Sequence, residues 1–177
     1  MLKRQLPLAV KLISGFIYHK EEIYLKAKHN LETKFGSIDF ESSIINFDFT
    51  DYYYPEMGKP LFRRFVSFKK LQKLSSFPNI KLFCMKIEKK YSLHQKRKIN
   101  IDPGYINESK LVLTTTKDFS HRIHIGKDIY AEVTLYYKEK KYLDFPTTFP
   151  DYRTPEYKNI FYTIRNIYRQ NIKDGRR

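Results

Sequence analysis

Along this chain, stretches in which apolar and polar residues alternate give way to stretches in which apolar residues step by three and four, the signatures of strands and amphipathic helices. Val10 to Tyr18 is β-rich and apolar apart from Lys11 and Ser14, which predicts a strand. Ile23, Ala27, Leu31 and Phe35 then keep helical spacing, and Gly36 supplies a stop. From Ile38 to Phe49 a looser alternation predicts a second strand, irregular near Ser42-Ser43, and Asp51 to Pro60 reads as a loop. Arg63 to Lys69 alternates as a third strand. After Pro78, the positions Ile80, Phe83, Cys84, Ile87 and Tyr91 define a second helix with Cys84 on its inward face. A short strand Ile99 to Ile101 is expected to end in a turn at Asp102-Pro103-Gly104.

That order, βαββαβ, predicts an α+β fold with a mixed, mainly antiparallel sheet and a ferredoxin-like core. Leu111 to Thr116 fits a further strand, and Lys110-Leu111-Val112-Leu113 alternatively fits a helical turn. His121 to Ile125 and Ile129 to Tyr137, joined by Gly126-Lys127-Asp128, predict an added β-hairpin. A three-residue loop would set Ile125 opposite Ile129, Ile123 opposite Ala131, His124 opposite Tyr130 and Arg122 opposite Glu132, with one face uniformly apolar. A short strand follows at Tyr142 to Phe145. Thr154 then caps a C-terminal helix with Pro155 in its first turn and Tyr157, Ile160, Phe161, Ile164 and Tyr168 as its apolar stripe. At 177 residues, without a Gly/Ser/Pro-rich linker, one domain over residues 1–173 is expected, with a frayed basic tail at 174–177.

Composition adds charge to this picture. Against 19 Asp and Glu stand 34 Lys and Arg, a formal net charge of +15 that attracts nucleic acid, nucleotides or an acidic protein surface. A Lys-, Ile-, Tyr- and Asn-rich profile poor in Gly is also what an AT-rich genome produces, so charge alone names no partner. Cys84 is the single cysteine, which excludes an internal disulfide and fits a reducing, cytoplasmic compartment. Met1-Leu2-Lys3-Arg4 resembles the start of a signal peptide, but Lys11 interrupts the apolar run behind it and no cleavage site follows, so export and a membrane span are not expected.

No Gly-rich phosphate cradle is present, and the five His residues show no metal-ligand spacing, so no metal is expected and any cofactor stays unknown. Thr114 to Arg122 gathers hydroxyls, Lys117, Asp118, His121 and Arg122 ahead of the hairpin, a set able to bind phosphate or move a proton. Arg122 and Glu132 also fit an ordinary cross-strand ion pair. Tyr52, Tyr53 and Tyr54 fit either packing on the sheet or a stacking platform. Arg63 and Arg64 face opposite sides of their strand, so one at most enters a given cleft, and Arg64 is the candidate carried forward. Lys96-Arg97-Lys98 reads as a solvated turn.

Phe47-Asp48-Phe49-Thr50-Asp51-Tyr52-Tyr53, Glu56-Met57-Gly58, Arg63-Arg64-Phe65 and Asn100-Ile101-Asp102-Pro103-Gly104-Tyr105 resemble the bacterial domain-of-unknown-function family 4416. Thr115-Thr116-Lys117-Asp118, Ser120-His121-Arg122-Ile123, Tyr130 to Tyr137 and Pro150-Asp151-Tyr152-Arg153 continue the likeness over nearly the whole chain. The resemblance implies a small bacterial protein and brings no reaction. Its polar pieces fall at 51–58, 102–105, 115–122 and 151–153, where loops on a rigid sheet form ligand sites. Their convergence would build a cleft for a phosphate-bearing small molecule or nucleotide, with Lys117, Arg122, Glu132, Tyr53, Arg64, Asp151 and Arg153 as ligand contacts. His121, Asp102 and Asp118 would be the candidate proton-transfer groups. RNA binding by a basic, aromatic-bearing sheet, or docking of an acidic protein, are the alternatives.

Overall fold

The structure, a computed structural model, describes residues 9–174; the signal-like start and Gly175 to Arg177 lie outside the described residues. In chain order come β1 (Lys11–Tyr18), α1 (Glu21–Phe35), β2 (Ile38–Glu41), β3 (Ile45–Asn46), the short α2 (Tyr54–Met57), β4 (Phe62–Phe68) and α3 (Phe77–Lys90). Then follow β5 (Ile99–Ile106), β6 (Lys110–Thr115), β7 (Ile123–Gly126), β8 (Ile129–Lys138), β9 (Lys141–Asp144) and α4 (Pro155–Asp174). The strands make one sheet in the order β2-β4-β1-β5-β6-β8-β7, with β3 beside β4 and β9 beside β8. All of these ladders are antiparallel, so the expected mixed character is corrected to a purely antiparallel sheet among the described residues.

Both faces of the central strands are covered. Leu12, Phe16 and Tyr18 of β1, Val66 and Phe68 of β4 and Ile101 of β5 pack against Tyr24, Ala27 and Leu31 of α1 and Ile80, Cys84 and Ile87 of α3. On the opposite face Ile13, Phe65, Ile106, Leu111 and Leu113 lie with Tyr157, Phe161 and Ile164 of α4. This double burial is why β1 reads as a nearly continuous apolar run instead of an alternating one. Lys11, the interruption in that run, is wholly buried; it pairs with Asp39 and donates to Asn171 Oδ1 of α4 at 2.7 Å. Thr154 caps α4 as expected, its hydroxyl accepting the Tyr157 N–H at 3.3 Å, and the helix continues through Asp174, one residue into the expected frayed tail.

Other expectations are corrected by the ladders. The strand read over Ile38 to Phe49 is two short strands, both on β4, with Ser42 between them donating its N–H to Phe65 O at 2.9 Å. Of the two readings open at Lys110 to Leu113 the strand holds, as part of β6. The hairpin closes on Lys127-Asp128, both at positive φ (57° and 56°), so Gly126 faces Ile129 and Ile125 is an extra residue in the strand. The pairs Ile123 with Ala131 and His124 with Tyr130 hold, but Ile123 is 73% exposed, so the hairpin face is not uniformly buried.

Asp102-Pro103-Gly104 is no turn: β5 runs straight through it. Its ladder with β1 covers Ile99 to Ile106, whereas its ladder with β6 covers only Gly104 to Ile106. Over residues 99–103 the two strands diverge. A Cβ on Gly104 would lie 2.2 Å from the Val112 carbonyl oxygen, so the last contact before the divergence requires glycine. Gly104→Ala is expected to cost about 3 kcal/mol by forcing the backbones apart. Ile164→Asp, which puts a charge into a site with 0% exposure, should cost about 4 kcal/mol or more. Urea denaturation checks both; an unchanged midpoint for Ile164→Asp would remove α4 from the core.

Candidate functional site

The divergence of β6 from β5 opens a cleft of about 720 Å³ between two central strands of the sheet. One wall is β5, through Asn100 and Asp102; the other is the end of β6 and the hairpin, through Leu113 to Lys117, Arg122 and Glu132. Lys81, Met85 and Glu88 of α3 close the back, Phe47, Phe49, Tyr52, Tyr53, Phe149 and Pro150 line the cleft further, and the buried Asp151 and Tyr152 lie at its inner end against Arg63. Residues 101 and 103 of β5 aim their backbone polar groups into this gap, where no neighbouring strand receives them. Glu88 Oε1 accepts the Ile101 N–H at 2.6 Å, Lys81 Nζ donates to Ile101 O at 3.2 Å, and Thr114 Oγ1 donates to Pro103 O at 2.8 Å. Proline fits at 103 because the N–H it lacks would have had no strand partner.

Arg63 sits beneath the inner end, 2% exposed. It donates to Asp151 Oδ2 at 2.8 Å, Asp102 Oδ2 at 3.4 Å and the Tyr157 hydroxyl at 3.4 Å. Phe47, Phe65, Tyr152 and Tyr157 surround its guanidinium with ring centroids 5.1–5.8 Å away. Burial opposes the charge, but the Tyr152 and Tyr157 hydroxyls and the Asp151 and Asp102 carboxylates outweigh it and raise the Arg63 pKa well above its ordinary value. Asn100 Nδ2 donates to Asp102 Oδ2 at 2.8 Å, and Arg97 donates to Asn100 Oδ1 at 3.0 Å while gripping both oxygens of Glu56 at 2.8–3.1 Å.

At the mouth, Glu132 Oε2 accepts from Arg122 Nε at 2.7 Å and lies 3.0 Å from His121 Nε2. Arg122 also donates to the Lys117 carbonyl at 3.0 Å, pinning the loop that carries Lys117. Lys117 Nζ stands over the Tyr52 ring, 5.1 Å from its centroid, and among the described residues it has no carboxylate partner. Arg63, Arg97 and Arg122 are all committed to acids, and Lys81 to a carbonyl, which leaves Lys117 as the cation of the cleft open to an added anion.

Of the residues expected from the sequence, Tyr53, Asp102, Lys117, Arg122, Glu132 and Asp151 line this one cleft. The Arg122–Glu132 ion pair forms as expected, with Arg122 one residue ahead of β7, and both residues are part of the wall. Arg64 does not enter. Its side of β4 faces α1, where it pairs with Glu41 at 2.7 Å and Glu21 at 2.9 Å, and the opposite neighbour Arg63 takes the cleft. Arg153 is spent on the carbonyls of Thr148 and Pro146, at 2.8 and 2.7 Å, holding that loop. Asp118 is exposed beside the Tyr130 phenol, and His121 stands behind Glu132 instead of on the lining. Lys81, Glu88, Asn100 and Arg97 were not foreseen as site residues; the K-R-K run looks solvated in sequence, and only its contact with Glu56 draws Arg97 inward. Among the described residues no group of three or more His, Cys, Asp or Glu side chains could hold a metal, and no helix is long and apolar enough to cross a membrane.

Comparison with known proteins finds one family model, "Domain of unknown function (DUF4416)", which matches residues 8–168. No curated protein and no solved structure matches the chain.

Burial pushes the Glu88 carboxyl above its ordinary value of 4.5, with Lys81 and the Ile101 N–H acting the other way. The folded protein therefore keeps this proton to higher pH than the unfolded chain does. The stability this proton contributes is whole below pH 4.5 and is lost as pH rises through the raised folded value. Glu88→Gln keeps an acceptor for Ile101 without the titration. Wild-type stability relative to Glu88→Gln is expected to fall from pH 4.5 upward, measured by urea midpoints across the range; a pH-independent difference would show that Glu88 ionises as an exposed carboxyl does.

Proposed function

The chain belongs to the DUF4416 family, and from its cleft we propose that it binds a phosphate-bearing small molecule, a nucleotide or sugar phosphate, between β5 and β6. The observation that carries this reading is the uncommitted ammonium of Lys117 at the mouth of a cleft whose other cations are already engaged. Thr115 and Thr116 lie beside it on the same wall and add hydroxyl and backbone donors for phosphate oxygens. Phe47, Phe49, Tyr52 and Tyr53 offer flat apolar surface to the organic part, and about 720 Å³ is the size of a small-ligand site. His121 stands off the lining and bears on the ligand only through Glu132, which it contacts at 3.0 Å. We read the β1-α1-β2-β4-α3-β5 segment as a ferredoxin-like core; the strand order β2-β4-β1-β5, with α1 and α3 packed on one face, supports it. A cytoplasmic location suits a ligand of this kind and the buried free thiol of Cys84.

RNA binding on an open sheet would need aromatic side chains standing free on a sheet face. On β1 and β4, Phe16, Tyr18, Phe65 and Phe68 are wholly buried under helices and Phe62 is half-buried against the same core, which favours the cleft reading. Titration calorimetry against nucleotides, sugar phosphates and single-stranded RNA distinguishes the two. Lys117→Ala is expected to weaken the cleft ligand about tenfold, the equivalent of ~1.4 kcal/mol, with a shallow salt dependence. Equal affinities in both proteins would remove the anion site, and a steep salt slope with RNA alone would favour nucleic acid.

A further inference from the structure

We propose that the inner end of this cleft is a subsite for hydroxyl groups, where Tyr152 Oη and Asp102 Oδ1 read the sugar or other polyol that carries the phosphate. The inference rests on the proposal above for the position of the phosphate. Tyr152 is 2% exposed, lines the cleft, and its hydroxyl has no hydrogen-bond partner among the described residues. Buried polar atoms are nearly always paired, so an orphan on a cleft wall points to a group supplied from outside the chain. Ser14, Tyr18, Arg64, Thr134 and Tyr142 also carry buried unpaired atoms, but none of them lines this cleft. Packing does not need the Tyr152 oxygen: the ring stacks on Phe161 at 5.7 Å and meets Phe65 and Tyr157 edge-on, contacts that phenylalanine would reproduce.

The charge arrangement selects what enters. All three nitrogens of the Arg63 guanidinium already donate, to Asp151, Asp102 and Tyr157, so among the described residues no unpaired cation is offered here to a phosphate, and two carboxylates would repel one. Both carboxylates are in turn held by Arg63, which leaves little attraction for an amine or a metal ion. Asp102 is engaged unevenly. Its Oδ2 receives Asn100 and Arg63, whereas its Oδ1 has only Lys81 Nζ at 4.0 Å, beyond hydrogen-bond reach, and the side chain is 28% exposed. That oxygen accepts a hydrogen bond and cannot give one. Beside it, the Tyr152 phenol either donates or accepts, and burial holds it far above its ordinary pKa and hence protonated. A carboxylate acceptor next to a phenol, without a free cation, is complementary to neutral hydroxyls. With Lys117 at the mouth, the ligand lies phosphate outward and polyol inward.

Tyr152→Phe tests this directly, since it deletes one atom that the protein leaves unpaired. Calorimetry would compare ribose 5-phosphate, adenosine 5′-monophosphate, butyl phosphate and inorganic phosphate on wild type, Tyr152→Phe and Lys117→Ala. In wild type ribose 5-phosphate or the nucleotide should bind more tightly than butyl phosphate, and the tighter of the two identifies the source of the polyol. Tyr152→Phe should weaken that ligand about fivefold, leave butyl phosphate and inorganic phosphate unchanged, and leave the thermal midpoint unchanged or raised. If Lys117→Ala weakens binding while Tyr152→Phe binds every sugar phosphate as wild type does, the hydroxyl subsite is wrong and the phosphate site stands. A fall of several degrees in the midpoint of Tyr152→Phe would give the oxygen an internal role and also end the proposal. Failure of wild type to bind any of the four compounds would end both.

Discussion

The interior of this protein turns on a few backbone groups of β5 that have no strand to pair with. Between Ile99 and Pro103 the strand keeps β1 on one side and loses β6 on the other. Buried N–H and C=O groups left without partners would each cost about 1–3 kcal/mol, so the divergence persists because side chains replace the missing ladder. Glu88 and Lys81 reach across from α3 to Ile101, and Thr114 reaches from β6 to Pro103. Polar residues on the inward side of an otherwise apolar helix, a proline inside a strand and a glycine at the last close contact with β6 are consequences of one opening in the sheet.

Charge in the opening is graded from inside to outside. At the inner end Arg63 is desolvated and held by Asp151 and Asp102 among aromatic rings; such buried pairs contribute more to fixing an arrangement than to net stability. In the middle, Arg97 and Asn100 carry the network on to Glu56. At the mouth Arg122 and Glu132 hold each other and the backbone of the Lys117 loop, so an exposed lysine is presented from a fixed position. The proposed ligand, anionic at one end and hydroxyl-bearing at the other, is the one we put against this gradient.

Much of the fold was legible in periodicity. The helical spacing in α1, α3 and α4, the Gly36 stop, the Thr154 cap and most of the hairpin register follow from which residues must face the core. Local turn chemistry misled where tertiary pairing overrode it: Asp-Pro-Gly favours a turn in isolation, yet β1 holds all three residues in its ladder. In the hairpin, positive φ at both Lys127 and Asp128 moved the turn by one residue and displaced Ile125.

The chain alone determined the residue types at the site, because Lys117 and Arg122 stand in a polar stretch and Glu132, Asp102 and Asp151 interrupt their surroundings with charges that a core-forming pattern does not demand. It also determined that Arg63 and Arg64 part to opposite faces of one strand. Which of the two is buried with the acids was decided only in three dimensions, since strand alternation fixes relative facing and not what covers each face. Likewise Glu88, Lys81 and Arg97 carry no local signal: their roles arise from a gap between β5 and β6, and a gap is a property of two strands far apart in sequence, set by how far their ladder extends.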